Sequence, residues 1–344
     1  MKPPNDALHD AAPPASSRFD PVPDAYGVRL ALVFGNHAPD GLCPYASASL
    51  CHHCDVGLGE GRAFSTAMNL RRLAWFRDSY AAVLPGVTHL ALYNSGSVLD
   101  PRQMPRRLLF HLLEWAGSLP ALRVLSVDTR EEHLTHAVLG RVSERLGTAV
   151  TLRPILGVES ADDTIRQTLL EKRMDRWEIE RSFRETGQAR AAGARVGLDV
   201  NVVVGAPGTT AETLIGDAAA TARTCFELGV HHGVDVDLNL HAYYPTRRGL
   251  ARFPGHPRCA PEAFLGAVRQ IGAVRAALSP SSKLFIGWED EGHDLQPELR
   301  ARELERLRAA FEAFNRLQDP GVLLEADVPP EAVYHQETGA VPSG

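Results

Sequence analysis

LDVNVVVGAPG, residues 198–208, and VDVDLNLHAYY, residues 234–244, are the stretches whose relation decides the fold. Each is a short run rich in β-branched residues, and between them Leu214, Ala218, Ala222 and Cys225 recur at helical spacing. Strand, helix and strand in that order describe a parallel crossover unit, because parallel neighbours need a connection long enough to return along the sheet.

The same unit recurs on the N-terminal side. RLALVFGN (29–36) precedes a helix with Leu73, Phe76, Tyr80 and Leu84 on one face, and HLALYNSG (89–96) precedes the helical MPRRLLFHLLEWA (104–116). LRVLSVD (122–128) is followed by a helix using Leu134, Val138 and Val142, and VTLRPILGVES (150–160) by DDTIRQTLL and a helix around RWEIERSF. After residue 244 the sixth helix carries Phe264, Val268, Ile271 and Leu278. Six β/α units predict an α/β fold in which helices cover a curved parallel sheet. Periodicity alone leaves an incomplete barrel and an open doubly wound sheet as alternatives. KLFIGWE (283–289) is a further strand candidate, and Leu304, Leu307, Phe311 and Phe314 mark a terminal helix. The expected division is a flexible, proline-rich leader over 1–24, one folded domain over 25–282 and a short C-terminal extension over 283–344.

A chain of 344 residues with 44% hydrophobic content can bury one large core. Five cysteines are too few and too clustered for a secreted disulfide framework, so cytoplasm is the expected location. No apolar segment follows Lys2 as in a signal peptide, and no run is long enough to span a bilayer, so no membrane association is expected. The formal net charge of −6 gives no whole-protein attraction for nucleic acid, while leaving room for a local basic pocket.

The strongest chemical signal is CPYASASLCHHC (43–54), which places Cys43, Cys51 and Cys54 in one segment directly after a strand. Thiolates suit zinc or iron–sulfur binding, but an all-cysteine zinc site needs a fourth thiol that this segment lacks. Three thiolates would leave one iron of a [4Fe–4S] cluster open to a non-protein ligand such as the amino and carboxylate groups of S-adenosylmethionine. Two other readings compete: a zinc-stabilised adaptor, its site completed by His52 or His53, and an iron–sulfur redox-sensing or nucleic-acid-binding module. Cys225 lies on an apolar helix face and reads as core, and Cys259 is isolated.

Three further turns follow strand candidates: YNSGSVLD (93–100), GVESADDTIR (157–166) and VVVGAPGTTAET (202–213). The last offers glycines for close backbone approach and a helix start with unsatisfied N–H groups, but it lacks the GKS or GKT ending of a phosphate-binding P-loop. Strand alternation puts Asp235, Asp237, Asn239 and His241 on one face, with Val236, Leu238 and Leu240 on the other. Asp237, Asn239 and His241 are therefore candidates to line a substrate cavity, with a structural hydrogen-bonded network as the alternative. Arg153, Arg247 and Arg248 are candidates for binding carboxylate or phosphate.

With these segments in order, the chain resembles the radical S-adenosylmethionine superfamily, especially its archaeosine-biosynthesis and tRNA elongator-like branch. The resemblance covers about residues 28–248 and implies an incomplete (β/α)6 barrel, a [4Fe–4S] cluster, S-adenosylmethionine and a 5′-deoxyadenosyl radical. Cys43, Cys51 and Cys54 match the cluster cysteines. Asn94, Ser95 and Gly96 match the cofactor-binding turn, Glu159 and Ser160 the polar segment after strand four, and Gly205, Pro207 and Gly208 the adenine-side loop. The common CxxxCxxC spacing is departed from in a longer first interval, which is similar to that branch, and His53 stands where an aromatic residue is frequent. The resemblance further implies an external electron donor such as flavodoxin or ferredoxin, an organic substrate it does not identify, and a possible tRNA-modification setting.

Overall fold

Eight strands hydrogen-bond in chain order into one sheet, in a computed structural model that describes residues 12–13, 19–54, 60–256, 259–287 and 301–326. A hairpin opens it: β1 (Val22–Asp24) runs antiparallel to β2 (Gly27–Val33). In parallel then follow β3 (His89–Tyr93), β4 (Val124–Thr129), β5 (Thr151–Glu159), β6 (Leu198–Val204), β7 (Val236–Ala242) and β8 (Leu284–Ile286). Helices α1 (Pro44–Ser47) and α2 (Thr66–Ser79) connect β2 to β3. The later crossovers carry α3 (Arg106–Gly117), α4 (His136–Leu146), α5 (Arg176–Ala191) and α6 (Ala211–His232). Helices α7 (Arg247–Arg252) and α8 (Pro261–Leu278) lead to β8, and α9 (Ala301–Leu317) follows it.

The six β/α units are thus present, with additions at both ends. Residues 22–24, expected to end a flexible leader, are a strand, and Leu284–Ile286, expected in a C-terminal extension, is a seventh parallel strand of the same sheet. Trp288 and Glu289 of the KLFIGWE run and most of the leader lie outside the described residues.

The sheet curls until its two ends approach across the inside. The Arg29 guanidinium of β2 lies 4.1 Å over the Phe285 ring of β8, although no backbone pairing joins first and last strands among the described residues. Side-chain amides take the place of a partner at the β8 edge. Gln318 bonds both N–H and C=O of Leu284 at 2.8 Å, and Asn315 does the same for Ile286 at 2.7 and 3.2 Å. An open edge is thereby saturated without inviting another strand, and α9 packs over both β1 and β8.

Alternation gives the two faces different jobs. Leu30, Leu32, Leu90, Leu92, Val200 and Leu238 point outward into one continuous core beneath the helices, each fully buried. The inward face at the N-terminal ends of the strands is polar instead. Asp24 bonds His89 at 2.5 Å, His89 bonds the Ser126 hydroxyl at 2.8 Å, and Ser126 donates to Asp199 at 2.6 Å. Arg153 donates from Nε to Asp199 at 2.5 Å and meets Asp237 through Nη2 at 2.9 Å, while the Tyr26 hydroxyl donates to Asp237. This chain of contacts plugs one end of the barrel from β1 to β7.

Arg153 is consequently committed to two buried carboxylates and is not a free anion site. Removing the guanidinium that bridges Asp199 and Asp237 leaves buried charge uncompensated, a class of change that costs about 3–5 kcal/mol. Arg153→Met is expected to lower urea-unfolding stability by that order, with the loss reduced when Asp199→Asn is combined with it; additive losses would show that the two side chains do not act as one network.

Candidate functional site

The three loop cysteines leave the sheet at the opposite end from the plug. Cys43 caps the N-terminus of α1, and the chain then passes through φ of 57° at Ser49 and 56° at Cys51. Side-chain residues seldom adopt that conformation without being held there. The holding contacts come from two directions. The Cys51 N–H donates to the Glu171 carbonyl at 3.2 Å and the His52 N–H to the Leu170 carbonyl at 3.1 Å. From the far side, Arg248 of α7 donates to the Leu50 carbonyl at 2.8 Å, the Ala46 carbonyl at 3.4 Å and the Cys54 carbonyl, and Thr246 donates to the His52 carbonyl. Gly249 lets α7 sit this close, since a Cβ there would lie 3.2 Å from the His52 carbonyl and 2.6 Å from the Tyr243 hydroxyl. Arg248 is thus spent on loop carbonyls, while Arg247 is exposed.

Two cations, Arg130 and Lys172, stand beside the buried Cys51 thiol. Burial pushes the Cys51 thiol up, Lys172 and Arg130 pull it back only in part, and Cys43 and Glu159 add to the rise, so it stays above its ordinary value. Burial also drives Cys225 and Cys259 up, to about 12, and no cation offsets it at either. Those two remain thiols at neutral pH. Among the described residues no three His, Cys, Asp or Glu side chains converge on a point that would hold one metal ion. A [4Fe–4S] cluster makes no such demand, because each thiolate bonds its own iron. Three thiols on one strapped loop, with cations beside them, fit that group. The zinc alternative finds less support: His52 bonds Glu171 at 2.9 Å, and His53 lies 3.4 Å from Glu159.

The turn after β3 is rigid. Asn94 is fully buried with Oδ1 lacking a hydrogen-bond partner, and Ser95 has φ of 57°. A side chain at Gly96 would displace Gln103, because a Cβ would lie 1.9 Å from Gln103 Oε1; that oxygen accepts from the Ser97 N–H at 3.0 Å and from Asn36 at 3.1 Å. At the end of β5 a bulge between Gly157 and Glu159 shifts the register, and Glu159 adopts φ of 66°. Burial would raise the Glu159 pKa, but Lys172 at 2.7 Å, aided by His53, holds it well below the usual carboxylate range. Ser160 turns the other way. Its hydroxyl donates to Asp217 of α6 at 2.6 Å. After β6, Gly205 has φ of 92° and a Cβ there would meet Cys259 at 2.8 Å, Pro207 is buried, and Gly208 is exposed with φ of 79°. Ala206 of this loop packs with Ile165 and Leu170, forming a small apolar wall beside the segment that anchors the cysteine loop.

The three strand-seven candidates separate by height. Asp237 lies in the plug, where Arg153, Tyr26 and the Lys283 N–H at 2.7 Å occupy its oxygens. One layer up, Asn239 donates to Asn201 at 3.0 Å, in register across β6 and β7. His241, nearest the C-terminal end and partly exposed, meets the Gly287 carbonyl at 3.2 Å. Asp235 is on the surface with Arg190. Arg130 and Lys172, both beside Cys51, carry no periodic signal in the sequence, since Arg130 directly follows β4 and Lys172 lies in the irregular segment before α5.

If Arg248 is the strap, Arg248→Ala should speed amide hydrogen exchange over residues 46–54 at least tenfold in the apo-protein while leaving β5 to β7 unchanged. Uniform acceleration across the barrel would assign Arg248 to general stability instead.

No protein-family model and no curated protein matches the chain. Among solved structures it is similar to the radical S-adenosylmethionine methyltransferase TsrM from Kitasatospora setae with tryptophan and a cofactor analogue bound, at 15% identity and a TM-score of 0.39, over 65% of this chain and 38% of that one. It is similar to the archaeal Elp3 of Methanocaldococcus infernus at 12% identity and a TM-score of 0.42, over 74% and 55% of the two chains. It is also similar to methylornithine synthase PylB at 11% identity and a TM-score of 0.48, over 77% and 67%. The chain spans between 38% and 67% of the lengths of these three proteins. TsrM is described as a radical S-adenosylmethionine enzyme, as is the coproporphyrinogen III oxidase of Escherichia coli, another structure to which this chain is similar.

Proposed function

We propose that this chain is a radical S-adenosylmethionine enzyme acting on an organic substrate, with a [4Fe–4S] cluster on Cys43, Cys51 and Cys54. The observation that carries the reading is a strapped loop of three cysteines, its buried thiol flanked by Arg130 and Lys172, at the open end of a barrel whose other end is plugged. When bound and reduced by an external donor such as flavodoxin or ferredoxin, the cluster would supply the electron that cleaves S-adenosylmethionine to methionine and a hydrogen-abstracting 5′-deoxyadenosyl radical.

The chain's own residues would do the positioning. Asn94, Ser95 and Gly96 form a preset turn in which the unpartnered Asn94 oxygen can accept from an ammonium group. Glu159 stays ionised and can accept from the cofactor by exchanging Lys172 or His53 for it. Gly205, Pro207 and Gly208, with the Ala206 wall, suit the flat face of an adenine. Ser160 supports this region through Asp217 and Arg166 rather than by contact with the cofactor. Substrate would rest above the plug against Asn239 and His241, with Asp237 fixing the floor. Holding reactants in a dry, oriented space is the protein's share of such chemistry.

Anaerobically reconstituted protein should hold about four irons per chain. Alanine at Cys43, Cys51 or Cys54 should each strip the cluster, and Cys225→Ala should keep it; full iron retention in all three ligand variants would refute the site. S-adenosylmethionine should perturb the reduced cluster's paramagnetic resonance spectrum, less so in Glu159→Ala, and reductant-dependent 5′-deoxyadenosine should form.

Asn239→Ala and His241→Ala should leave iron content and basal 5′-deoxyadenosine formation within about twofold of wild type. The stimulation of that formation by the small-molecule fraction of a cell extract should fall at least tenfold. Unchanged stimulation in both variants would remove β7 from the substrate site.

A further inference from the structure

We propose that Arg130 sets the reduction potential of the cluster by donating an N–H···S hydrogen bond to the Cys51 sulfur, an inference that rests on the ligation proposed above. Arg130 Nη1 lies 3.8 Å from Cys51 Sγ, within the range for a hydrogen bond to sulfur. The guanidinium has little freedom to leave. Its Nη2 donates to Glu131 at 2.8 Å and to the carbonyls of Lys172 and Arg173 at 3.1 and 3.2 Å, and its plane covers the Tyr45 ring at 3.4 Å. Tyr45 belongs to α1, inside the cysteine segment itself. The donor and the sulfur are therefore fixed to one another by the same short stretch of chain.

Three of the four anchors occupy Nη2 and the fourth the ring face, and Nε meets Glu132 at 3.4 Å, which leaves Nη1 directed at the sulfur. Glu131 pairs with the guanidinium, so much of its net charge is balanced close by. What remains specific to Cys51 is the hydrogen bond. Adding an electron to a cluster places more negative charge on its sulfurs, and a donor aimed at one of them stabilises the reduced form more than the oxidised form. The potential rises accordingly. A merely structural Arg130 would instead hold α1 against the segment after β5, and its loss would show as lost iron with no change in the potential of whatever cluster remained.

The experiment is a potentiometric titration of the reconstituted full chain, followed by paramagnetic resonance at matched iron content. In Arg130→Met the ratio of reduced to oxidised cluster at a fixed potential should fall about tenfold, equivalent to about 59 mV for a one-electron couple. Arg130→Lys, which restores a donor, should recover part of the shift. A ratio within twofold of wild type in fully loaded Arg130→Met overturns the proposal. Wild-type protein labelled with 15N only in arginine gives a test that needs no stable methionine variant: the reduced cluster should show a 15N hyperfine coupling that disappears in Arg130→Lys. Absence of the coupling in wild type, or its persistence in the variant, also overturns the proposal. Failure of wild type to assemble any cluster would instead reject the ligation by Cys43, Cys51 and Cys54.

Discussion

The structure depends on one buried guanidinium. Asp199 and Asp237 face each other in register on β6 and β7, an arrangement that two ionised carboxylates inside a barrel would not tolerate. Arg153 reaches across from β5 and engages both. Burial and the neighbouring Asp199 still push Asp237 upward against the pull of Arg153. Ser126, His89 and Asp24 extend the contacts to the opening hairpin, and Tyr26 closes the circuit back to Asp237. A sheet whose edges do not pair among the described residues is thus held in a curve by side chains on its inside and by α9 across its seam. Ion pairs of this kind are worth little as net stabilisation compared with apolar packing, but breaking one is costly, which makes the closed end rigid.

Conformational strain collects at the other end. Seven non-glycine residues among those described have positive φ, and six of them, Ser49, Cys51, Ser95, Glu159, Glu171 and Arg173, lie in the cysteine loop or the two segments facing it. Each such residue costs of order 1–3 kcal/mol unless its surroundings enforce it. The enforcing contacts are backbone carbonyls bonded by Arg248 and Arg130, the Lys172–Glu159 pair and the Gln103 clamp under Gly96. The strain is thus concentrated where the thiols and turns meet, at the site proposed for the cofactor.

The order of β/α units was legible because each buries one sheet face and one helix stripe, and residues such as Leu238 and Asn239 declare their faces by alternation alone. The hairpin was not, because Val22–Asp24 is too short to show a period and includes Pro23. The role of 283–287 was hidden for a different reason: its edge is completed by Asn315 and Gln318, whose polarity reads as helix surface. Alternation also placed Asp237 beside Asn239 and His241 without revealing that the lowest layer is a plug, since depth along a strand has no sequence signature. Nor does the sequence show the bulge at Gly157 and Glu159 or the bond that Ser160 makes to Asp217 of α6. The cysteine segment was plain from spacing, whereas Arg130 and Lys172 reach it from loops whose paths only the folded chain defines.

The strap from α7 to the cysteine loop has one more consequence. Thr246 and Arg248 follow β7 by only a few residues, and the same short segment therefore borders the inward side chain of His241 and grips the carbonyls around Cys51 and Cys54. A molecule that displaced the end of β7 would pull on the thiols, and filling the thiols would in turn stiffen the end of β7. Thermodynamic linkage makes that influence equal in both directions for binding. Occupancy of the substrate space and affinity for iron would then be two readings of a single mechanical equilibrium.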